Sequence, residues 1–145
     1  PPGSRIMDTG GSKGREGLRR ADVLGRAEAT LGVPSGAVVN EFGMTELLSQ
    51  RYSRPREDDA APWLHAPPWL ATRALDPVDL EAVPPGEEGI LCHFDLANLG
   101  SVSAVLTEDR GRVREDGAVR WMGRTPGSPP RGCSLATAEM LQALE

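Results

Sequence analysis

Residues 40–52 read NEFGMTELLSQRY, and this stretch decides the fold class. A short β-prone run leads into Gly43, and Thr45 and Glu46 follow shortly after it. The pattern predicts a strand, a loop and then a short helix with Thr45 and Glu46 at its head. A hydroxyl and a carboxylate at a helix N-terminus lie where backbone N–H groups converge, which suits phosphate and Mg²⁺. The alternative is that Thr45 only caps the helix and Glu46 is only a favourable first-turn acid.

The residues before this stretch predict a loop and an amphipathic helix. Residues 20–31 place apolar side chains at the spacing of one helical face, and Gly32 and Pro34 end the pattern. Residues 8–17 read DTGGSKGREG and predict a glycine-rich loop. A helix followed by a strand, a loop and a short helix is the alternation expected at the edge of an α/β sheet.

The second half of the chain has a different pattern. Residues 54–68 are rich in Pro, Asp and Arg and predict an exposed connection. Five strand-like runs follow it, at residues 69–75, 89–96, 101–107, 112–115 and 118–122. Asp116-Gly117 predicts a two-residue hairpin turn between the last two runs. We therefore predict an antiparallel β-meander, in a barrel-like subdomain, and a short terminal helix at residues 135–144.

The fold class predicted from these patterns is α/β (α+β). Residues 1–53 are predicted as an α/β part with the glycine loop and the GMTE motif, and residues 54–68 as the connection. Residues 69–124 are predicted as a β-rich subdomain, and residues 125–145 as a hinge-like segment with the C-terminal helix.

Composition excludes several classes of protein. The 145 residues are 39% hydrophobic and 26% charged, which is typical of a globular protein. A net charge of −5 argues against nucleic-acid binding, and no apolar run approaches the roughly 20 residues of a membrane-spanning helix. With two cysteines and no secretory segment, the sequence predicts a reducing cytoplasm. The absence of an initiator Met leads us to expect a longer gene product.

The two cysteines are predicted to differ. Ile90, Cys92, Phe94 and Leu96 alternate along a strand, so Cys92 is expected to face the apolar core and His93 to point away from it. Neither His93 nor His65 has a partner at metal-ligand spacing, and both are left out of the predicted site. The tryptophans, Trp63, Trp69 and Trp121, are predicted to be packing residues.

Cys133 lies in the polar turn RGCS, close to Arg131 and just before the predicted terminal helix. Positive charge and a helix N-terminus both favour the thiolate form of a cysteine. A thiolate is the form that attacks an activated acyl group. The alternative is that Cys133 is a small buried residue.

The motif NEFGMTE resembles the signature of the adenylate-forming superfamily, and GMTELLSQRY is closer still to the acyl-protein synthetase (LuxE) family. The resemblance implies that Phe42 lies by the adenine, that Thr45 meets the phosphate and that Glu46 serves Mg²⁺. Gly43 belongs to the same nucleotide-binding motif. The stretch DTGGSKG resembles the glycine loop of the family, in which Gly10 and Gly11 let bare backbone approach the nucleotide.

Two further segments resemble the family in order and spacing. Residues 89–111 resemble a strand pair ending in the Asp that grips the ribose hydroxyls, which is Asp109 here, although Thr107-Glu108 replaces the usual Thr-Gly. WMGRTPGSPPRGCS resembles the hinge, whose Arg contacts the ribose or phosphate; Arg124 matches it, but the usual hinge Asp and Lys are missing. Without the resemblance, Asp109 is a turn acid and Arg124 a solvated charge at a strand end.

The resemblance implies the C-terminal part of a ligase that uses ATP and Mg²⁺, forms an acyl-adenylate from a fatty acid, releases AMP and transfers the acyl group to Cys133. In this hypothesis the missing N-terminal half of the polypeptide completes the site, this chain lies at the edge of its large adenylate-forming domain, and an acyl-CoA reductase-type protein is a possible partner. One alternative is a phenylacetate-CoA-ligase-like enzyme that releases its product to coenzyme A. The other is a catalytically inactive nucleotide-binding or subunit-docking module.

Overall fold

The computed structural model describes residues 3–9, 19–55 and 61–128. Within these ranges, the strands form one eight-stranded sheet in the order β1-β2-β3-β4-β8-β7-β6-β5. The strands are β1 (Ile6–Thr9), β2 (Val38–Phe42), β3 (Arg51–Ser53), β4 (Leu64–His65), β5 (Leu70–Leu75), β6 (Glu88–Asp95), β7 (Ala104–Val113) and β8 (Val119–Arg124). The helix α1 spans Arg20–Leu31, and a single 3₁₀ turn spans Ser35–Ala37.

The first part of the sheet is a β-α-β unit. Strands β1 and β2 pair in parallel, and α1 lies between them in the chain. Helix α1 has the predicted bounds and ends at Gly32, whose φ of 65° lies in the left-handed region and whose N–H donates to the carbonyl of Glu28 at 2.9 Å. Arg20 at its start forms an ion pair with Asp8 of β1 at 3.1 Å. The predicted α/β character of this part is confirmed, although Asp8 and Thr9 lie in β1 and not in a loop.

The second part of the sheet is the predicted antiparallel meander of β5, β6, β7 and β8. The two runs predicted at residues 101–107 and 112–115 are wrong as separate strands, because residues 104–107 of the first and 112–113 of the second lie in one strand, β7. Position 111 of this strand is a glycine because a Cβ there would lie 2.7 Å from the backbone carbonyl oxygen of Arg120. The predicted hairpin is confirmed, but Arg114 N donates to Ala118 O at 2.9 Å, so three residues form the loop.

The predicted exposed connection, residues 54–68, is wrong in part. Leu64 is buried, and β4 joins β3 to β8 through the pairs Ser53–Leu64 and Leu64–Val119. The guanidinium groups of Arg114 and Arg120 lie 4.9 and 4.6 Å from the centroid of a Trp63 ring. Apolar residues within a Pro-rich stretch therefore join the two parts of the sheet.

The predicted buried face of β6 is also wrong. Leu91, His93 and Asp95 are at most 1% exposed, whereas Phe94 and Leu96 are 38% and 67% exposed. Cys92 is half-buried, and burial raises the pKa of its thiol even though the charge of Arg73 opposes this. The polar face is the buried one because hydrogen bonds from other segments satisfy Asp95 and His93 Nδ1.

Several predictions lie outside these results. Gly10, Gly11, Cys133 and the terminal helix at residues 135–144 are outside the described residues. Strands from the predicted segments 1–53 and 69–124 join one sheet, and the proposed domain boundaries stay a prediction. In the part of the chain that the structure describes, no helix is long and apolar enough to cross a membrane.

Candidate functional site

The loop between β2 and β3, residues 43–50, carries the motif on which the sequence hypothesis rests. It consists of turns and bends, so the predicted short helix is wrong. The backbone N–H groups of Leu48 and Ser49 donate to the carboxylate of Asp95 at 2.9 and 2.8 Å. A helix needs these N–H groups for carbonyls four residues earlier, and Asp95 has taken them. The hydroxyl and carboxylate of the motif therefore lie in a loop and not at a helix N-terminus.

Asp95, at the end of β6, is fully buried and accepts hydrogen bonds from four donors. Besides the two backbone groups, it accepts from the hydroxyl of Ser49 at 2.9 Å and from the N–H of Ala97 at 3.0 Å. Burial alone raises the pKa of Asp95, but the hydrogen bonds from Ser49, Ala97 and Leu48 outweigh it and hold the pKa below its ordinary value. Asp95 is therefore an ionised carboxylate that fixes one end of the loop.

Asn98 contacts the loop closer to the motif. Its side-chain amide donates to the backbone carbonyl of Glu46 at 3.1 Å and to that of Val102 at 3.0 Å. Asn98 is 8% exposed. Because a single amide nitrogen bridges two backbone carbonyls, the backbone at Glu46 is tied to the turn that follows β6.

Gly43 begins the loop, and a side chain there would require the side chain of Glu41 to move. A Cβ at this position would lie 2.8 Å from the Oε1 atom of Glu41 and 3.3 Å from Cγ of Gln50. Thr45 and Glu46 follow on the exposed part of the loop, and the hydroxyl of Thr45 donates to a carboxylate oxygen of Glu46 at 3.1 Å. This hydroxyl–carboxylate pair has the oxygen donors that Mg²⁺ prefers.

Asp109 on β7 is a buried carboxylate close to the motif loop. It is 7% exposed and lies opposite Arg124 of β8. Burial raises its pKa, the charge of Arg124 and a hydrogen bond with Trp121 lower it, and the charges of Glu46 and Glu108 raise it again. The net direction is upward. The charge of Glu46 acts on Asp109, so these two carboxylates, distant in the chain, lie within electrostatic reach of each other.

Phe42 reaches the same region through an aromatic contact. Its ring centroid lies 6.4 Å from that of Trp121, with the ring planes tilted by 36°. Trp121 also hydrogen-bonds to Asp109 and is 39% exposed. The sequence analysis predicted Trp121 only as a packing residue, because a contact between β2 and β8 leaves no local pattern. Trp121 therefore links the predicted adenine-side residue to the predicted ribose-side residue.

Arg124 is paired within the chain. Its guanidinium forms an ion pair with the carboxylate of Glu108, and Thr125 N donates to the carbonyl of Glu108 at 2.8 Å. Glu108 is the residue that replaces the usual Gly before the family's Asp. The departure from the family pattern thus has a structural consequence, since it supplies a partner for Arg124 at the edge of the region.

The structure therefore brings Phe42, Glu46, Asp109 and Arg124 into one neighbourhood, with Thr45 attached through Glu46. The part of the chain described here contains no group of three or more His, Cys, Asp or Glu side chains that could hold a metal by itself. A role for Glu46 in binding Mg²⁺ thus stays a prediction, and it needs oxygen ligands from elsewhere, such as nucleotide phosphates.

A second polar cluster is buried beside the loop. Arg51 is 1% exposed, and its guanidinium donates to the hydroxyl of Thr72. That hydroxyl lies 2.7 Å from Nδ1 of His93. Burial lowers the pKa of Arg51 to about 10, although the charge of Asp95 opposes this, and burial together with the charge of Arg51 lowers the pKa of His93 to about 4.

The cluster is incompletely hydrogen-bonded. Among the described residues, Nε and Nη1 of Arg51 and Nε2 of His93 have no partner. An unpaired buried polar atom costs free energy. The sequence analysis left His93 out of the site, and the structure assigns it a buried structural position.

A shallow groove of about 600 Å³ lies at the end of the motif loop. Its lining includes Leu48, Gln50, Tyr52, His65, Pro67 and Trp69. Trp69 is 49% exposed and donates through Nε1 to the hydroxyl of Ser49 at 3.0 Å. Of the predicted nucleotide-binding residues that the structure describes, none lines the groove, so it does not mark the candidate site.

Comparison with known families identifies the chain. Residues 1–142 match the family model described as acyl-protein synthetase, LuxE. The chain belongs to the LuxE family. The match spans the motif loop, Asp109, Arg124 and Cys133, and it confirms the resemblance inferred from the GMTE motif.

Two curated relatives of this LuxE-family chain are named long-chain-fatty-acid–luciferin-component ligases. The protein of Aliivibrio fischeri is 33% identical over 86 residues, which cover 54% of this chain and 23% of the relative. The protein of Vibrio harveyi is 30% identical over 83 residues, which cover 53% of this chain and 22% of the relative. The matched part therefore spans less than a quarter of either relative.

Solved structures support the fold class of the LuxE-family chain. Apo MatB from Rhodopseudomonas palustris aligns at a TM-score of 0.59 with 19% identity, over 84% of this chain and 26% of that one. The ATP-bound RpMatB-BxBclM chimera B3 aligns at 0.56 with 20% identity, over 83% and 25%. The luciferase-like enzyme of the mealworm Zophobas morio aligns at 0.54 with 18% identity, over 86% and 32%. These similarities confirm the predicted α+β fold.

Proposed function

We propose that this chain forms one wall of the nucleotide site of an ATP-dependent ligase that activates a long-chain fatty acid and passes it to a protein cysteine. The observation that carries the proposal is that Trp121 contacts Phe42 of the motif segment and hydrogen-bonds to Asp109 of β7, whose carboxylate also feels the charge of Glu46. The family match and the names of the relatives support the type of reaction.

Each residue has a role that its position suits. Phe42 and Trp121 form an aromatic surface on which the flat adenine can stack. Asp109, hydrogen-bonded to Trp121, is proposed as the acceptor for the two ribose hydroxyls. Arg124, freed from Glu108, is a donor for ribose or phosphate oxygen. Gly10 and Gly11 are proposed to complete the wall with their backbone.

Thr45 and Glu46 are proposed to act at the phosphates. The hydroxyl of Thr45 is a donor for phosphate oxygen, and the carboxylate of Glu46 is a ligand for Mg²⁺. When bound, Mg²⁺ neutralises phosphate charge and so favours attack at phosphorus. The exposure of both side chains in the loop leaves them accessible to a nucleotide.

The proposed chemistry has two steps. In the first, a carboxylate oxygen of the fatty acid attacks the α-phosphorus of ATP; a new P–O bond forms, and the bond to pyrophosphate breaks. In the second, the thiolate of Cys133 attacks the acyl carbon, a thioester forms, and AMP leaves with the electrons of the broken C–O bond. Cytoplasmic location and transfer to a reductase-type partner belong to the same proposal.

Acid-dependent exchange of labelled pyrophosphate into ATP tests the first step. The intact protein that contains this chain is expected to catalyse the exchange when a long-chain fatty acid and Mg²⁺ are present. The exchange should stop when either is omitted. A folded, intact protein without exchange activity would favour the inactive docking module, which is the alternative suggested by the missing hinge lysine and by the pairing of Arg124 with Glu108.

A Cys133→Ser variant of the intact protein tests the second step. We expect it to retain pyrophosphate exchange and to lose the hydroxylamine-sensitive acyl label, because only a thioester carrier needs this thiol. Cys92→Ser is the matched control and should keep the label, since the Cys92 thiol is half-buried with a raised pKa. Unchanged labelling of Cys133→Ser would eliminate Cys133 as the carrier, whereas a protein that forms no acyl label and releases its product to coenzyme A would support the acyl-CoA synthetase alternative.

A further inference from the structure

We propose that Asp95 and Asn98, in the DLAN sequence at residues 95–98, are positioning residues that fix the motif loop and thereby set the place of Glu46. The inference rests on the proposed function for its consequence in catalysis. Its structural basis is independent, because it concerns the hydrogen bonds that give residues 43–50 their shape.

The loop depends on these contacts because it has little regular structure of its own. Within it, the N–H of Leu47 donates to the carbonyl of Met44 at 3.1 Å, which closes a single turn. The next two N–H groups, of Leu48 and Ser49, both donate to Asp95. An oriented carboxylate from β6 thus does for this loop what backbone carbonyls do for a helix.

The chemistry at each of the two positions is specific. Asp95 accepts through both oxygens, so an asparagine there would turn an NH₂ group towards N–H donors. Asn98 has the opposite requirement, since its amide donates to two backbone carbonyls and an aspartate cannot donate to them. Both side chains are buried, so water does not readily replace the lost partners.

The contact of Asn98 explains why the hydrogen bonds of Asp95 and Asn98 to the loop should affect the reaction as well as stability. It holds the backbone carbonyl of Glu46 itself, while the carboxylate of the same residue remains on the exposed loop. Fixing the backbone limits the positions that the carboxylate can reach. Groups that orient a metal ligand typically change metal affinity or activity by about 10- to 100-fold when they are removed.

Asn98→Ala in the intact protein is the first test. We expect the Mg²⁺ concentration for half-maximal pyrophosphate exchange to rise about tenfold, with a smaller change in the rate at saturation. In a Glu46→Gln background the same substitution should have no further effect on the Mg²⁺ requirement, because the ligand that it positions is gone. Asn98→Asp should raise this Mg²⁺ concentration at least as much as Asn98→Ala does.

Val119→Ala is the matched control for lost stability. Val119 is 2% exposed and packs with Ala74 and Leu91 in a core cluster of the meander. This variant should lower the melting temperature without changing the Mg²⁺ requirement. The proposal is overturned if Asn98→Ala changes only the melting temperature, or if its effect is the same with and without Glu46.

Amide hydrogen exchange gives a readout that does not need activity. Peptides covering residues 43–50 should exchange at least about tenfold faster in Asn98→Ala and Asp95→Asn than in Val119→Ala. Unchanged amide exchange in this loop would refute the proposal that Asp95 and Asn98 hold it. An intact protein that shows no acid-dependent pyrophosphate exchange would refute the proposed function, while the amide measurement would still decide whether Asp95 and Asn98 hold the loop.

Discussion

Lowering the pH from about 6.5 to about 4 should reduce the free energy of unfolding by roughly 3 kcal/mol through His93 alone. Burial is the main cause, and the nearby charge of Arg51 adds to it; together they lower the pKa of His93 from 6.5 to about 4. Between pH 6.5 and about 4, this histidine binds a proton in the unfolded chain but stays neutral in the folded chain. The stabilisation is therefore complete above pH 6.5 and is lost as the pH falls towards 4.

Urea unfolding of the intact protein at several pH values measures this effect. His93→Gln should flatten the dependence relative to the unchanged protein, and the titration of carboxylates cancels in that comparison. Arg51→Met should narrow the pH range over which stability is lost, because removing the buried charge takes away one cause of the low pKa of His93. His65→Gln changes the chain's other histidine and is the control. Equal slopes for His93→Gln and the unchanged protein would contradict the prediction.

Asp109→Asn in the intact protein should lower acid-dependent adenylate formation on the order of 100-fold or more. A hydrogen bond to a charged group contributes about 1.5–3 kcal/mol, and the proposed carboxylate accepts from two ribose hydroxyls. The loss of stability should be small by comparison. Since burial raises the pKa of Asp109, its charged form is disfavoured in the fold, and a neutral amide removes that penalty.

Pyrophosphate exchange over a range of ATP concentrations is the measurement for Asp109. Glu115→Gln is the matched control, because it neutralises an exposed acid in the hairpin loop that follows the same strand. That variant should retain full exchange. An Asp109→Asn protein with normal affinity for ATP would show that the buried carboxylate has only a structural role.

Much of the fold follows from local patterns in the sequence. The apolar spacing of residues 20–31 and the Gly32 stop predict α1 with its observed bounds. The runs that became β5, β6 and β8 are placed within one or two residues, because turn residues bound them. These signals lie within the elements themselves or beside them, so they can be recognised without knowing the tertiary contacts.

The errors arise where distant residues decide the outcome. The alternation along β6 was recognised, but its buried face was misassigned, since the partners that satisfy His93 and Asp95 come from β5 and from the motif loop. The helix expected after Gly43 is absent for the same reason: Asp95 takes the N–H groups that a helix would use. A single carboxylate thus accounts for two of the wrong predictions.

The candidate site was predicted less by spacing than by family resemblance. Spacing alone left Thr45 and Glu46 as a possible cap and first-turn acid, and it left Asp109 as a turn acid. The family match and the shared neighbourhood of Glu46 and Asp109 are what support the nucleotide hypothesis. Trp121 was predicted only as a packing residue, because its contact with Phe42 depends on how β2 and β8 are placed.

The connectivity of the sheet also sets an expected order of folding. Strands β5 to β8 are neighbours in the chain and in space, so their pairing closes short loops, whereas the pair Leu64–Val119 must close a long one. The meander should therefore form early. The motif loop depends on hydrogen bonds from Asp95 and Asn98, so it should acquire its native shape after the meander has formed. The segment that carries Thr45 and Glu46 should therefore fold late.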